Sequence, residues 1–107
     1  MFGKFWISLA LSLGLLPNWQ SVANADAKSD YYTTCAACHN LGVAGAPKIG
    51  DTEAWKERIQ QGNKVLYDHA INGFTGKTGT MPPKGGFESL SNEKVKSIVE
   101  FMISKSL

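Results

Sequence analysis

Both cysteines of this 107-residue chain stand three apart, with one of its two histidines directly behind them, in Tyr32-Thr33-Thr34-Cys35-Ala36-Ala37-Cys38-His39-Asn40. Two thiols at i, i+3 with an adjacent imidazole admit three chemistries: a redox-active disulfide, half of a zinc site, or covalent attachment of haem. Each asks something different of the rest of the chain. A thioredoxin-like site follows a strand in an α/β chain, and no such alternation is visible here. Structural zinc wants four ligands, and only His69 remains to complete a set. Haem attachment needs two thiols on one helical turn, able to reach the vinyl groups on one side of a porphyrin. The following imidazole then falls beneath the iron. The five residues alone leave the choice open.

The N-terminal part does not read as fold. Met1-Phe2-Gly3-Lys4 is a short cationic start, followed by the uncharged apolar run Phe5 to Leu16 and then Ala23-Asn24-Ala25, a small-x-small cleavage pattern. The run is shorter than the ~20 residues a bilayer span needs. Residues 1–25 are therefore expected to be a cleaved signal peptide, with a retained anchor or a cut after Ala27 as alternatives. Cleavage after Ala25 leaves residues 26–107 as one domain of 107 − 25 = 82 residues, exported to the periplasm. A domain of this size buries a modest core and usually draws on a disulfide, a metal or a bound group. Losing Lys4 takes the formal charge from +2 to +1, which gives no case for nucleic acid.

The mature sequence reads as short helices joined by glycine- and proline-rich loops. A first helix over about Ala27 to Ala37 runs into the cysteine motif, and Leu41 to Gly50 is a loop. Asp51-Thr52 caps a helix over Ala54 to Gln61, and Lys64 to Asn72 forms another, stopped by Gly73. Residues 73–86, "GFTGKTGTMPPKGG", are almost all turn chemistry, and no strand pair is expected. The last helix is the clearest. Ser91 caps it, Glu93 sits in its first turn, and Val95, Ile98, Val99 and Met102 recur at i, i+3, i+4, i+7.

A haem held by His39 needs a second axial ligand or an open face, and the chain offers Met81, Met102 and His69. Met102 lies on the apolar stripe of the final helix, where methionine fills a core. His69 lies within a short helix and reads as a packed or surface histidine. Met81 lies 42 residues after His39 in a loop stiffened by Pro82-Pro83, whose rings fix φ. It is the candidate ligand, the alternative being a methionine that plugs the loop onto the core. Trp55 and Arg58 share a helix face. They either meet a haem propionate or serve as one core aromatic and one surface arginine.

The segments "CAACHNLGVAGAPKIGD", "AWKERIQQG", "HAINGFTGKTGTMPPKGG" and "LSNEKV" resemble the cytochrome c5 group of class I bacterial cytochromes c. The likeness covers nearly the whole mature chain. It implies an all-α, small class I cytochrome c fold, four or so short helices wrapped around one covalently bound haem c. It further implies thioethers from Cys35 and Cys38, His39 and Met81 as axial iron ligands, and a Pro47 carbonyl accepting the histidine's other N–H. Iron held on both sides has no open position, so the resemblance implies a one-electron carrier rather than an enzyme. Its partners would be redox proteins such as a membrane cytochrome complex or a terminal oxidase or reductase of a bacterial respiratory chain. Encounters with a membrane surface would be transient, and the protein a monomer or weak dimer. Lys48, Lys77 and Lys84 could steer acidic partners towards the haem edge. A subunit of a larger redox complex and a haem-based ligand sensor are the competing classes. Two departures from relatives stand out. "FESL" replaces a cysteine pair after "MPPKGG", with Phe87 and Leu90 expected to pack in its place. Ala27 replaces a glycine where the first and last helices cross, beside Tyr31 and Phe101, and predicts a looser or shifted crossing.

Overall fold

The computed structural model describes residues 19–107, with side chains from Asp26 onward, and upstream of these only Gly3 and Gly14. The apolar run of the expected signal peptide, Phe5 to Leu16, thus lies outside the described residues apart from Gly14. Five helices carry the fold: α1 (Trp19–Thr33), α2 (Ala36–His39), α3 (Thr52–Gln60), α4 (Asn63–Asn72) and α5 (Asn92–Lys105). Helix α1 begins at Trp19, upstream of the Ala27 start expected from sequence. None of the described helices is long and apolar enough to cross a membrane.

Helix α5 organises the rest. The Ser91 hydroxyl accepts from Lys94 N at 3.1 Å, which satisfies one of the orphan donors of the first turn. Its stripe Val95, Ile98, Val99 and Met102 is buried. Each such side chain contributes about 1.5–3 kcal/mol by leaving water. The stripe divides between two clusters. Ile98 and Met102 join Tyr31, Ala36 and Trp55, with Cys35, Ile49 and Phe101 packed around them. Val95 and Val99 join Leu66 and Ala70 of α4, with Met81, Tyr67 and Ile103 around them. Leu90 touches both.

The most extensive helix contact is that of α1 with α5. Tyr31 is wholly buried there, its ring centroid 5.5 Å from Phe101 and 5.1 Å from Tyr32. Ala27, on the same helix, is buried at 5% exposure. Past the end of α5, Ser106 turns back into the core. Its hydroxyl donates to Met102 O at 2.8 Å and accepts from Gly50 N at 2.9 Å, tying the loop before α3 to the C-terminus. Asp51 caps α3 by accepting from Ala54 N at 3.2 Å.

Two expectations are corrected. Residues 73–86 are not all turn: β1 (Phe74–Thr75) and β2 (Thr80–Met81) pair antiparallel, with Phe74 opposite Met81 and Thr75 opposite Thr80. Gly76 N donates to Gly79 O at 3.0 Å across the tip. Two paired residues per strand are too few to leave an alternation signal. Phe87 does not pack in place of the missing cysteines, since it is 40% exposed. Leu90 does pack, and Lys84 Nζ donates to its carbonyl at 2.6 Å, closing that loop by a polar contact instead.

Candidate functional site

Helix α1 ends as Thr34 and Cys35 donate their backbone N–H groups to Tyr31 O, at 3.3 and 2.9 Å. The single turn α2 then starts with Cys35 as its N-cap. This places Cys35 and Cys38 one turn apart, with His39 directly behind. Both thiols are free, Cys38 exposed and Cys35 half-buried against the Tyr31 cluster. Burial pushes the Cys35 thiol up, while the Thr34 hydroxyl 3.3 Å from its sulfur works against this. Helix α2 is fastened from behind: Tyr31 Oη donates to Asn40 Oδ1.

His39 is buried at 8% exposure. Its Nδ1 lies 2.8 Å from Pro47 O, and its own carbonyl accepts from Ile49 N at 2.8 Å. Burial, the largest influence, holds the imidazole below its ordinary value. The Pro47 bond opposes this and the Arg58 charge adds to it. The ring is therefore neutral at pH 7, with its proton on Nδ1 towards Pro47 and the Nε2 lone pair free to bind a metal. No hydrogen bond to Nε2 occurs among the described residues.

The Pro47 loop is itself braced. Trp55 is buried, 6.3 Å between ring centroids from His39, and its Nε1 donates to Lys48 O at 2.8 Å. That donor is occupied by backbone, so what Trp55 offers a bound group is its ring. Arg58, one turn later, is half-buried. Its guanidinium donates to Ala54 O through Nη1, and Nη2 lies 3.4 Å from Thr78 Oγ1 on the hairpin. Arg58 thus spans from α3 to the segment carrying Met81.

Met81 is half-buried on β2, against the cluster of Leu66, Ala70, Val95 and Val99. Its register partner Phe74 stacks on His69 of α4, centroids 3.8 Å apart and planes at 15°. His69 is held in that stack, and Met102 is a core residue at 5% exposure. Of the three lysines near the site, Lys48 and Lys77 are exposed, whereas Lys84 is engaged with the Leu90 carbonyl. Sequence reasoning missed the Asn40 and Thr78 contacts, which no local pattern announces.

A covalently attached haem fits this donor set. Two free thiols one turn apart can take two thioether bonds. A buried neutral imidazole with a fixed tautomer would supply a nitrogen ligand, and the half-buried Met81 thioether on a separate arm would supply a sulfur. No group of three or more His, Cys, Asp or Glu suited to a metal ion occurs among the described residues, which leaves no competing zinc cluster there.

Comparison with known proteins agrees. Residues 22–102 match the family described as cytochrome C oxidase, cbb3-type, subunit III. The chain is 43% identical over 82 residues to cytochrome c-555 of Chlorobaculum tepidum, covering 77% of this chain and 76% of that protein. It is 44% identical over 70 residues to cytochrome c5 of Ectopseudomonas mendocina, covering 64% and 76%. A cytochrome c solved in an electron transfer complex with nitrite reductase superposes with a TM-score of 0.68 at 32% identity, over 77% of this chain and 95% of that one. The chain belongs to the class I monohaem c-type cytochromes of the c5 and c-555 kind, electron-transfer proteins that carry one covalently attached haem c and are not enzymes.

Proposed function

We propose that this cytochrome is a periplasmic one-electron carrier of a bacterial respiratory chain, its haem iron held between His39 and Met81. Cys35 and Cys38 supply the thioethers, and residues 1–25 act as a signal peptide removed on export. The single observation that carries the ligand assignment is the buried His39 with its Nδ1 on Pro47 O, directly behind two free thiols. When bound, the haem supplies a reversible Fe(III)/Fe(II) couple. The protein's part is to fix both sides of the iron and keep water from them. Pro47 fixes the His39 ring and its proton. The apolar cluster behind Met81 favours the reduced state, which carries less net charge in a medium of low dielectric. An iron that would be held by both His39 and Met81 suits electron transfer, not ligand activation.

Of Lys48, Lys77 and Lys84, the exposed Lys48 and Lys77 are the ones free to steer acidic partners, and the association rate should then fall as salt rises. The relative solved with nitrite reductase supports a redox enzyme as partner. The match to an oxidase subunit family supports a second reading, a haem subunit retained in a larger complex. Fractionation of the native host separates these: a carrier leaves with the periplasmic extract, a subunit stays with the complex.

The ligand assignment is tested on the exported holoprotein. The ferric form should show the weak long-wavelength band of a methionine–iron bond, and Met81→His should abolish it and lower the reduction potential. Met81→Ala should let the reduced protein bind carbon monoxide rapidly at neutral pH. An unchanged spectrum and potential in both variants would remove Met81 from the iron.

A further inference from the structure

The segments supporting the two axial ligands touch. The loop after α2 makes a tight turn at Val43–Gly45, just before Pro47, and the tip of the β1–β2 hairpin presses against it. A Cβ on Gly45 would stand 1.8 Å from Thr78 O, and one on Gly79 would stand 2.2 Å from Ala44 O. Non-bonded heavy atoms do not approach so closely, so these backbones meet at a distance that only glycine permits at both positions. Ala44 holds a left-handed conformation here, φ 54°, which a non-glycine residue keeps only where its surroundings demand it. Arg58 Nη2 reaches Thr78 Oγ1 beside the contact, and the His69–Phe74 stack holds the other end of the hairpin.

We propose that this backbone contact between the 43–46 loop and the hairpin tip is a clasp that keeps Met81 on the iron and shuts out external ligands. It rests on Met81 being the sixth ligand, and it adds Gly45 and Gly79 as positioning residues for that ligand. The physical reason is connectivity. Met81 lies two residues after Gly79 on a strand that pairs over only two residues, too short to hold its place alone. Pinning the tip to the loop that carries Pro47 references the distal arm to the proximal one. An external ligand binds only when Met81 has moved away, so its apparent affinity scales with the fraction of molecules whose clasp is open.

The test uses ferric holoprotein and imidazole as the probe. Gly79→Ala must part the two segments. It should raise imidazole affinity at least about tenfold in proportion to the open fraction, and weaken the methionine–iron band. Gly45→Ala should act in the same direction. Gly62→Ala is the control, because it also places alanine at positive φ, 94°, but meets no atom within 4 Å, and it should leave both readouts unchanged. Gly79→Ala and Gly45→Ala matching Gly62→Ala would overturn the clasp. Met81→Ala separates this from failure of the ligand assignment: wild type already binding imidazole as tightly as Met81→Ala would mean that Met81 is no ligand. Should the clasp variants not accumulate with haem, hydrogen exchange on wild type decides. Imidazole should speed exchange at Ala46 N as well as at Gly76 N, the two amides bonded within the loop and the hairpin tip. Faster exchange at Gly76 alone would show that the two segments open independently.

Discussion

Replacing Tyr31 by phenylalanine should reverse in sign between neutral and alkaline pH. Tyr31 is wholly buried at the α1–α5 crossing, packs in the cluster that holds Cys35, and donates its hydroxyl to Asn40 Oδ1. Tyr31→Phe keeps the ring and loses that bond. Asn40 is exposed, so its oxygen turns to water and the cost near neutrality is about 1 kcal/mol. Burial, with a smaller contribution from Tyr32, pushes the Tyr31 hydroxyl up from 10.0 to about 12, and the least contribution, from Cys35, requires a free thiol. The folded value lies above the unfolded one, so the stabilisation is complete below the unfolded pKa. It is then lost as pH rises through the folded pKa. At 1.36 kcal/mol per unit, a rise of this size amounts to roughly 2–3 kcal/mol, lost progressively as pH climbs from about 10 through the folded value. The variant has no such group. Its stability curve should therefore cross that of wild type at about pH 11, where the loss passes the neutral-pH advantage. Guanidinium unfolding of the ferric holoprotein, followed by far-UV circular dichroism across this range, measures the difference directly. Other groups that ionise, including Tyr67, are common to both proteins and cancel. Parallel curves, with the variant less stable by the same amount throughout, would refute the burial argument.

Four further substitutions probe the frame around the site. Ser106→Ala removes two hydrogen bonds, one from Gly50 N of the loop before α3 and one to Met102 O of α5, and should cost about 1–2 kcal/mol. At roughly 4–8 °C per kcal/mol for a domain of this size, the fall is plain in a thermal melt. Trp55→Phe removes one of the two donors to the Lys48 carbonyl, leaving Asp51 N at 3.1 Å, and should cost about 1 kcal/mol by chemical denaturation. It should also broaden the proximal histidine resonances in a paramagnetic NMR spectrum. Asp51→Ala and Ser91→Ala each remove one helix cap at about 1 kcal/mol. The double variant should show the sum, because the two caps share no partner.

What the sequence disclosed followed the range of each signal. The α5 stripe and its Ser91 cap are local patterns, and all four stripe residues are buried. The cysteine–histidine motif is also local, so Cys35, Cys38 and His39 could be singled out from nine residues. Met81 stood out because prolines in a glycine-rich loop are unusual company for a methionine. The hairpin around it was illegible. Phe74, Thr75, Thr80 and Met81 pair across only two rungs, and the glycines between them read equally well as a loop. Illegible too were the links between segments distant in sequence: Gly45 with Thr78, Arg58 with Thr78, Gly50 with Ser106. Such contacts depend on how helices dock, which no window of a dozen residues contains.

The division of the core explains why the proposed ligands sit where they do. Cys35 packs on the cluster of Tyr31, Trp55, Ile98 and Met102, while Met81 packs on that of Leu66, Ala70, Val95 and Val99. Neither cluster is large enough to hold a domain together alone. They communicate through Leu90, through α5, which contributes two residues to each, and through the contact of the hairpin with the 43–46 loop. A haem bound by both arms adds a further connection between the clusters, and its binding free energy then counts as folding free energy. Rigid support on both sides also suits the chemistry. An iron whose ligands come from two separately anchored segments changes charge with little movement of either. With His39 and Met81 as its ligands, the same anchoring that lets a small chain fold would keep the barrier to electron transfer low.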